Sequence, residues 1–163
     1  EPNGRIRVLS HEGKDLNRPL RMPREVIRMK AIPNSARVLM CGADLLATLN
    51  AETGEVVKLV DAKPEESPSF HYTSLAVSRD GTLAAAALAN ANPLLAERPY
   101  EVEIWDIPRN RKRRSFAGHQ AAVHTMSFSA EGDRLASGDT LGFVHIWNLK
   151  NSNDEVQKAS PEQ

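Results

Sequence analysis

Val123-His124-Thr125-Met126-Ser127-Phe128-Ser129, the turn Ala130-Glu131-Gly132, Arg134-Leu135-Ala136-Ser137-Gly138, and then Phe143-Val144-His145-Ile146-Trp147-Asn148-Leu149 decide the fold. Three short runs rich in β-branched and aromatic residues, separated by Gly-containing turns, read as three strands. No window of a dozen residues anywhere in the chain keeps apolar positions at helical three-and-four spacing without a Gly, Pro or turn cluster breaking it.

The same pattern recurs upstream. Val26 to Ile32 alternates, Pro33-Asn34-Ser35 turns, Arg37 to Gly42 and Leu45 to Ala51 follow, and Glu52-Thr53-Gly54 turns into Glu55 to Val60. Tyr72 to Ser78, the turn Arg79-Asp80-Gly81, Thr82 to Leu88, Tyr100 to Ile107 and Lys112 to Phe116 make a further set. Four-strand units repeated at this period signal a radial array in which each unit is stabilised by its neighbours. Aligning Leu39 with Leu135 also aligns Gly42 with Gly138 and Ile32 with Phe128, an offset of 96 residues, while Trp105 and Trp147 lie 42 apart.

These residues resemble the WD-repeat (G-beta-like) β-propeller family. Gly118-His119, Leu135-Ala136-Ser137-Gly138 and Val144-His145-Ile146-Trp147-Asn148 look like one repeat, and Glu103-Ile104-Trp105-Asp106 supplies the Trp-Asp ending of the one before. The resemblance implies an all-β fold, a partial WD-repeat β-propeller of four-stranded antiparallel blades, about three blades of a larger propeller. It also implies structural roles for Gly118, His119, Ser137, Trp147, Asn148, Trp105 and Asp106, with the His, a strand Ser, a turn Asp and the Trp joined by hydrogen bonds. The chain departs from the pattern in places: Met22-Pro23 and Ser67-Pro68 replace Gly-His in the other repeats, Leu49 stands where a Trp would, and Leu141 and Pro99 occupy the turn-Asp positions. Asp139 lies two residues before Leu141 and offers His119 a carboxylate.

The expected organisation is then 1–21, the third and fourth strands of a truncated blade, with Gly4 to Ser10 and Lys14 to Leu20 as those strands; 22–61, a full degenerate blade; 62–117, a full blade with long loops; 118–150, a final blade of three strands; and 151–163, a polar disordered tail. Thirteen strands do not close a ring of four-stranded blades, and open blade faces favour association, so a fragment of a longer propeller protein is expected and self-association is allowed.

Composition narrows the function classes. The 163 residues hold 21 Lys+Arg and 21 Asp+Glu, so no whole-chain electrostatic attraction to nucleic acid or anionic membrane operates. No apolar run approaches the roughly 20 residues of a membrane-spanning helix. The single Cys41 excludes an intrachain disulfide. No leader is visible, and the cytoplasm is the expected compartment. Hydrolase elbows, phosphate loops, dinucleotide fingerprints and zinc-protease motifs are absent, so catalytic residues, metal ligands and cofactors are all expected to be none, and no small-molecule substrate is expected.

The candidate partner-binding residues sit in two long loops on one face, Asp61 to Phe70 and Ala89 to Pro99: Glu65, Glu66, Phe70, Leu94, Leu95, Glu97 and Arg98. They are equally readable as tolerated insertions. A basic run, Arg109, Arg111, Lys112, Arg113 and Arg114, could meet an anionic partner, or it could protect an edge strand; without interleaved aromatic rings nucleic acid is not expected there. His71, His124 and His145 lie near or on strands without carboxylates at ligand spacing, and Cys41 reads as a small buried hydrophobe. The expected function is a non-catalytic interaction scaffold for other proteins. The alternative is a regulatory or sensor propeller segment of a multidomain enzyme, such as a kinase or protease, whose catalytic domain lies elsewhere.

Overall fold

The computed structural model describes residues 5–15, 20–21, 26–43, 45–61, 70–90 and 100–150. They form strands without a helix: β1 (Arg5–Ile6), β2 (Leu20–Arg21), β3 (Val26–Ala31), β4 (Arg37–Gly42), β5 (Leu45–Asn50), β6 (Val56–Asp61), β7 (Phe70–Val77), β8 (Leu83–Asn90), β9 (Tyr100–Asp106), β10 (Arg111–Ala117), β11 (Val123–Phe128), β12 (Arg134–Asp139) and β13 (Val144–Asn148). All pair as antiparallel meanders: β1–β2, β3 to β6, β7 to β10, and β11 to β13. This is the all-β, four-stranded blade architecture.

The sheets stack face on face. Leu39, Cys41 and Leu46 of the β3–β6 sheet pack against Tyr72, Leu75, Ala84, Ala86 and Trp105 of the β7–β10 sheet. The opposite face of that sheet, with Ala85, Ala87, Val102, Ile104 and Phe116, receives Val123, Leu135 and Trp147 of the final sheet. Alanines in β8 let the sheets approach, and one large knob fills the space between them. Trp147 stacks on Phe116 with centroids 4.8 Å apart and planes 20° apart, worth about 0.5–1.5 kcal/mol beyond its buried area.

Turn chemistry sets the hairpins. In the β7–β8 turn the Ser78 hydroxyl accepts from the Leu83 N–H at 2.9 Å, and Asp80 accepts from the Thr82 N–H at 3.0 Å. Gly81 follows with φ of 74°. A Cβ at Gly81 would come within 2.8 Å of the Pro33 carbonyl oxygen in the neighbouring sheet, so both the dihedral and the close approach demand glycine.

Register corrects the sequence alignment. Val38 lies opposite Leu49 just as Ala84 lies opposite Trp105 and Leu135 opposite Trp147. The offset between the β3–β6 sheet and the final sheet is therefore 97 at this strand, and Leu39 corresponds to Ala136, not Leu135. The one-residue slip was invisible because both faces of β4 and β5 are buried between sheets, leaving no polar alternation to set the register. Each innermost strand also carries a bulge near its start, at Val26/Arg28, Tyr72/Ser74 and Val123/Thr125.

Two further boundaries differ from expectation. The strand expected over Lys14 to Leu20 is Leu20–Arg21 among the described residues, paired with Arg5–Ile6, and Asp15 instead makes an isolated bridge to Leu9. The loops are shorter than expected, since β7 begins at Phe70 and β8 runs to Asn90.

Candidate functional site

The buried polar constellation of the final sheet is complete. His119, just ahead of β11, places Nδ1 2.9 Å from Asp139 Oδ2 and Nε2 2.7 Å from Ser137 Oγ. Trp147 Nε1 donates to the same Ser137 oxygen at 2.7 Å. With a neutral imidazole the donors run in one direction: the indole N–H to Ser137, the Ser137 O–H to Nε2, and Nδ1–H to the carboxylate. Asp139 takes the turn aspartate's place from two residues earlier, because its other oxygen accepts the Leu141 and Phe143 N–H groups, each at 3.0 Å. Leu141 thus enters through its backbone. Burial by itself would raise the Asp139 carboxyl, but the His119 hydrogen bond and the two N–H groups outweigh it and hold it below the ordinary carboxylate value.

Ser, His and Asp stand in the order of a hydrolytic triad, yet Ser137 is 1% exposed and its oxygen is engaged by Trp147. His145 stacks on Trp147 at 5.1 Å and meets His119 edge-on at 4.3 Å. Burial, and then the nearby His119, lower the His145 pKa.

A second constellation, unforeseen from sequence, holds the β7–β10 sheet. Glu103 Oε2 accepts from Tyr72 Oη and from Trp105 Nε1, both at 3.0 Å, and Oε1 lies 2.9 Å from Lys112 Nζ. One buried carboxylate serves where Ser137 serves in the next sheet. The available signal was Glu103 two residues before Trp105, hence on the same strand face, with a cation across the sheet.

That pairing reassigns part of the basic run. Lys112 is bound to Glu103, and Arg109 lies 3.0 Å from Asp106. Arg114 sits 5.9 Å from the Phe116 ring centre. The run leads into β10, an edge strand of its sheet, where cations oppose edge-to-edge pairing. Asp106 also accepts the Arg109 N–H at 3.1 Å; although burial pushes its carboxyl upward, the Arg109 bonds and charge win and lower it. Asn148 caps the chain after β13 by accepting the Lys150 N–H at 3.0 Å.

Of the loop candidates, Phe70 is the first residue of β7, half-buried and edge-on to Tyr72 at 5.7 Å, with its ring packed against the apolar core of the sheet. Glu65, Glu66, Leu94, Leu95, Glu97 and Arg98 lie outside the described residues, as does the 151–163 tail. Cys41 is buried with its thiol pushed up to about 12, chiefly by burial, and its Sγ lies 3.9 Å from the Tyr72 carbonyl oxygen. Among the described residues no three His, Cys, Asp or Glu side chains converge as metal ligands would, and no helix is long and apolar enough to cross a membrane.

The WD domain, G-beta repeat family model matches residues 110–148. The chain is 29% identical over 107 residues to WD repeat-containing protein slp1 of Schizosaccharomyces pombe, covering 66% of this chain and 19% of that protein. It is 53% identical over 32 residues to ASTRA-associated protein 1 of Verticillium alfalfae, covering 20% of this chain and 8% of that protein. It is 25% identical over 123 residues to Coronin-7 of Homo sapiens, covering 76% of this chain and 13% of that protein. The chain thus spans less than a fifth of the length of these relatives. Among solved structures, the C-terminal WD40 domain of Sif2 superposes with a TM-score of 0.69 at 12% identity, over 91% of this chain and 41% of that one. Stacked antiparallel sheets and this superposition show the fold of β-propeller blades, and within it residues 110–148, which hold His119, Ser137, Asp139 and Trp147, match the WD domain, G-beta repeat.

Proposed function

We propose that the chain is a non-catalytic scaffold for other proteins, acting as one arc of a longer propeller. The observation that carries this reading is where its reactive side chains are spent. Ser137, His119, Asp139 and Glu103 are buried and bonded to Trp147, Trp105, Tyr72 and Lys112, so their chemistry holds sheets together. Blades are rigid supports, and rigid supports suit the display of binding segments. The names of two relatives, ASTRA-associated protein 1 and Transcription initiation factor TFIID subunit 5, describe members of assemblies and agree with this reading.

Residues 91–99, between β8 and β9, are the segment to test. Replacing them with a short Gly-Ser linker should leave the urea midpoint unchanged and reduce partner recovery in crosslinking mass spectrometry. Recovery of every partner at undiminished yield would remove this segment from the binding surface. Turnover of ester or peptide substrates that is abolished by Ser137→Ala would overturn the non-catalytic reading.

A further inference from the structure

We propose that the groove along the inner strands β3, β7 and β11 docks an extended peptide segment bearing carboxylates on alternate residues. This deepens the scaffold reading by naming a partner chemistry on a surface separate from the loops.

Two cavities, of about 190 Å³ and about 490 Å³, share Lys30 and Met126 and run along these strands. Arg28, Ser74, His124 and Thr125 line the first; Arg79, Ser127 and Phe128 line the second. All three strands are edges of their sheets, so each has one backbone edge without a strand partner in its own sheet among the described residues. An extended chain can use such edges, with side-chain pockets supplying the selectivity.

Charge selects the occupant. The chain as a whole is balanced, yet no Asp or Glu is among the described residues that line either cavity. Several other cations are matched, Arg7 with Asp15, Arg109 with Asp106, Lys112 with Glu103, and Lys150 with Asp133. Arg28, Lys30 and Arg79 have no carboxylate partner among the described residues, and the Arg28 guanidinium bonds only the Ile27 carbonyl at 3.1 Å.

Spacing selects its conformation. Arg28 and Lys30 pair with Cys41 and Leu39, so they share one face of β3, about 7 Å apart at strand rise. Arg79 lies in the turn beyond β7, at the second cavity. A lone phosphate calls for donors converging on a point, whereas these are strung along a line. An extended peptide repeats its same-face side chains at the same interval of about 7 Å. A nucleic-acid strand would need a row of stacking rings, whereas the described lining offers a single ring in each cavity, His124 in the first and Phe128 in the second.

The test uses the purified 163-residue chain and a fluorescein-labelled peptide alternating Glu and Ser, followed by fluorescence anisotropy. The expected result is binding that weakens about ten-fold in Arg28→Gln/Lys30→Gln/Arg79→Gln and changes less than about two-fold in Arg111→Gln/Arg113→Gln. In Arg28→Glu/Lys30→Glu the preference should move to a peptide alternating Lys and Ser, a gain that misfolding would not produce. The proposal is overturned by absence of binding, by equal loss in both Gln variants, by a peptide with the same glutamates in one block binding as well, or by inorganic phosphate or an oligothymidine competing as effectively. These measurements use purified components, so they hold or fail independently of partner recovery in cells.

Discussion

The hydroxyl of Ser137 lies 2.7 Å from His119 Nε2 and accepts the Trp147 indole N–H at the same distance, making one oxygen the junction of β12, β13 and the segment that leads into β11. Ser137→Ala leaves two buried polar nitrogens without their partner. A loss of about 2–3 kcal/mol is expected, measured as a lowered urea midpoint, against almost no change for the exposed Ser127→Ala.

Lowering the pH should cost stability in two stages. The His145 pKa is lowered in the fold, so the neutral form is favoured there, and stability present above 6.5 falls as pH drops below that value. The Asp139, Asp106 and Asp80 carboxyls are also lowered, so their contribution is present above 3.8 and is lost below it, as pH falls through their folded values. Urea midpoints measured across pH should show both stages. His145→Gln should remove most of the first, while Asp139→Asn should shrink the second and lower stability at neutral pH.

The Glu103–Lys112 pair invites a double-mutant cycle. Lys112→Met leaves a buried carboxylate without its cation, and because Lys112 is 47% exposed, solvent limits the expected cost to about 1–2 kcal/mol. Glu103→Gln keeps an acceptor for Tyr72 and Trp105 but turns an amide toward the ammonium. The double variant should be more stable than the sum of the single losses, a coupling read from denaturant midpoints.

Thr48 occupies the position that Ile104 and Ile146 hold in the next two sheets, one residue before the Trp site. Its buried Oγ1 has no hydrogen-bond partner among the described residues. Thr48→Val keeps the shape and removes the orphaned hydroxyl, so a gain of about 1 kcal/mol is expected by chemical melting.

The same position distinguishes a covered sheet face from an open one. Ile104 is 2% exposed beneath the final sheet, whereas Ile146 and Val144 on the last sheet are 63% and 69% exposed. Ile104→Asp should therefore unfold the chain, at a cost of about 4 kcal/mol or more. Ile146→Asp, on the exposed face, should leave the urea midpoint nearly unchanged.

Among the described residues, the strands from Val26 onward, their turns and the Trp-bearing repeats are legible in the sequence alone, because alternation and Gly-Asp-Ser turn chemistry are local properties of a few neighbouring residues. His119 and Ser137 were legible for the same reason: they sit at fixed distances from Trp147. Tertiary structure decided the rest. The 97-residue register required the pairing of Val38 with Leu49, since strands buried on both faces carry no alternation to read. Asp139 became the acceptor for His119 because the turn after β12 folds the Leu141 and Phe143 N–H groups onto its carboxylate. Glu103 found Tyr72 31 residues away, and it removed Lys112 from a basic run that had looked uniform. Such partners are chosen by which strand faces meet across a sheet and between sheets, a long-range relation that no local pattern encodes.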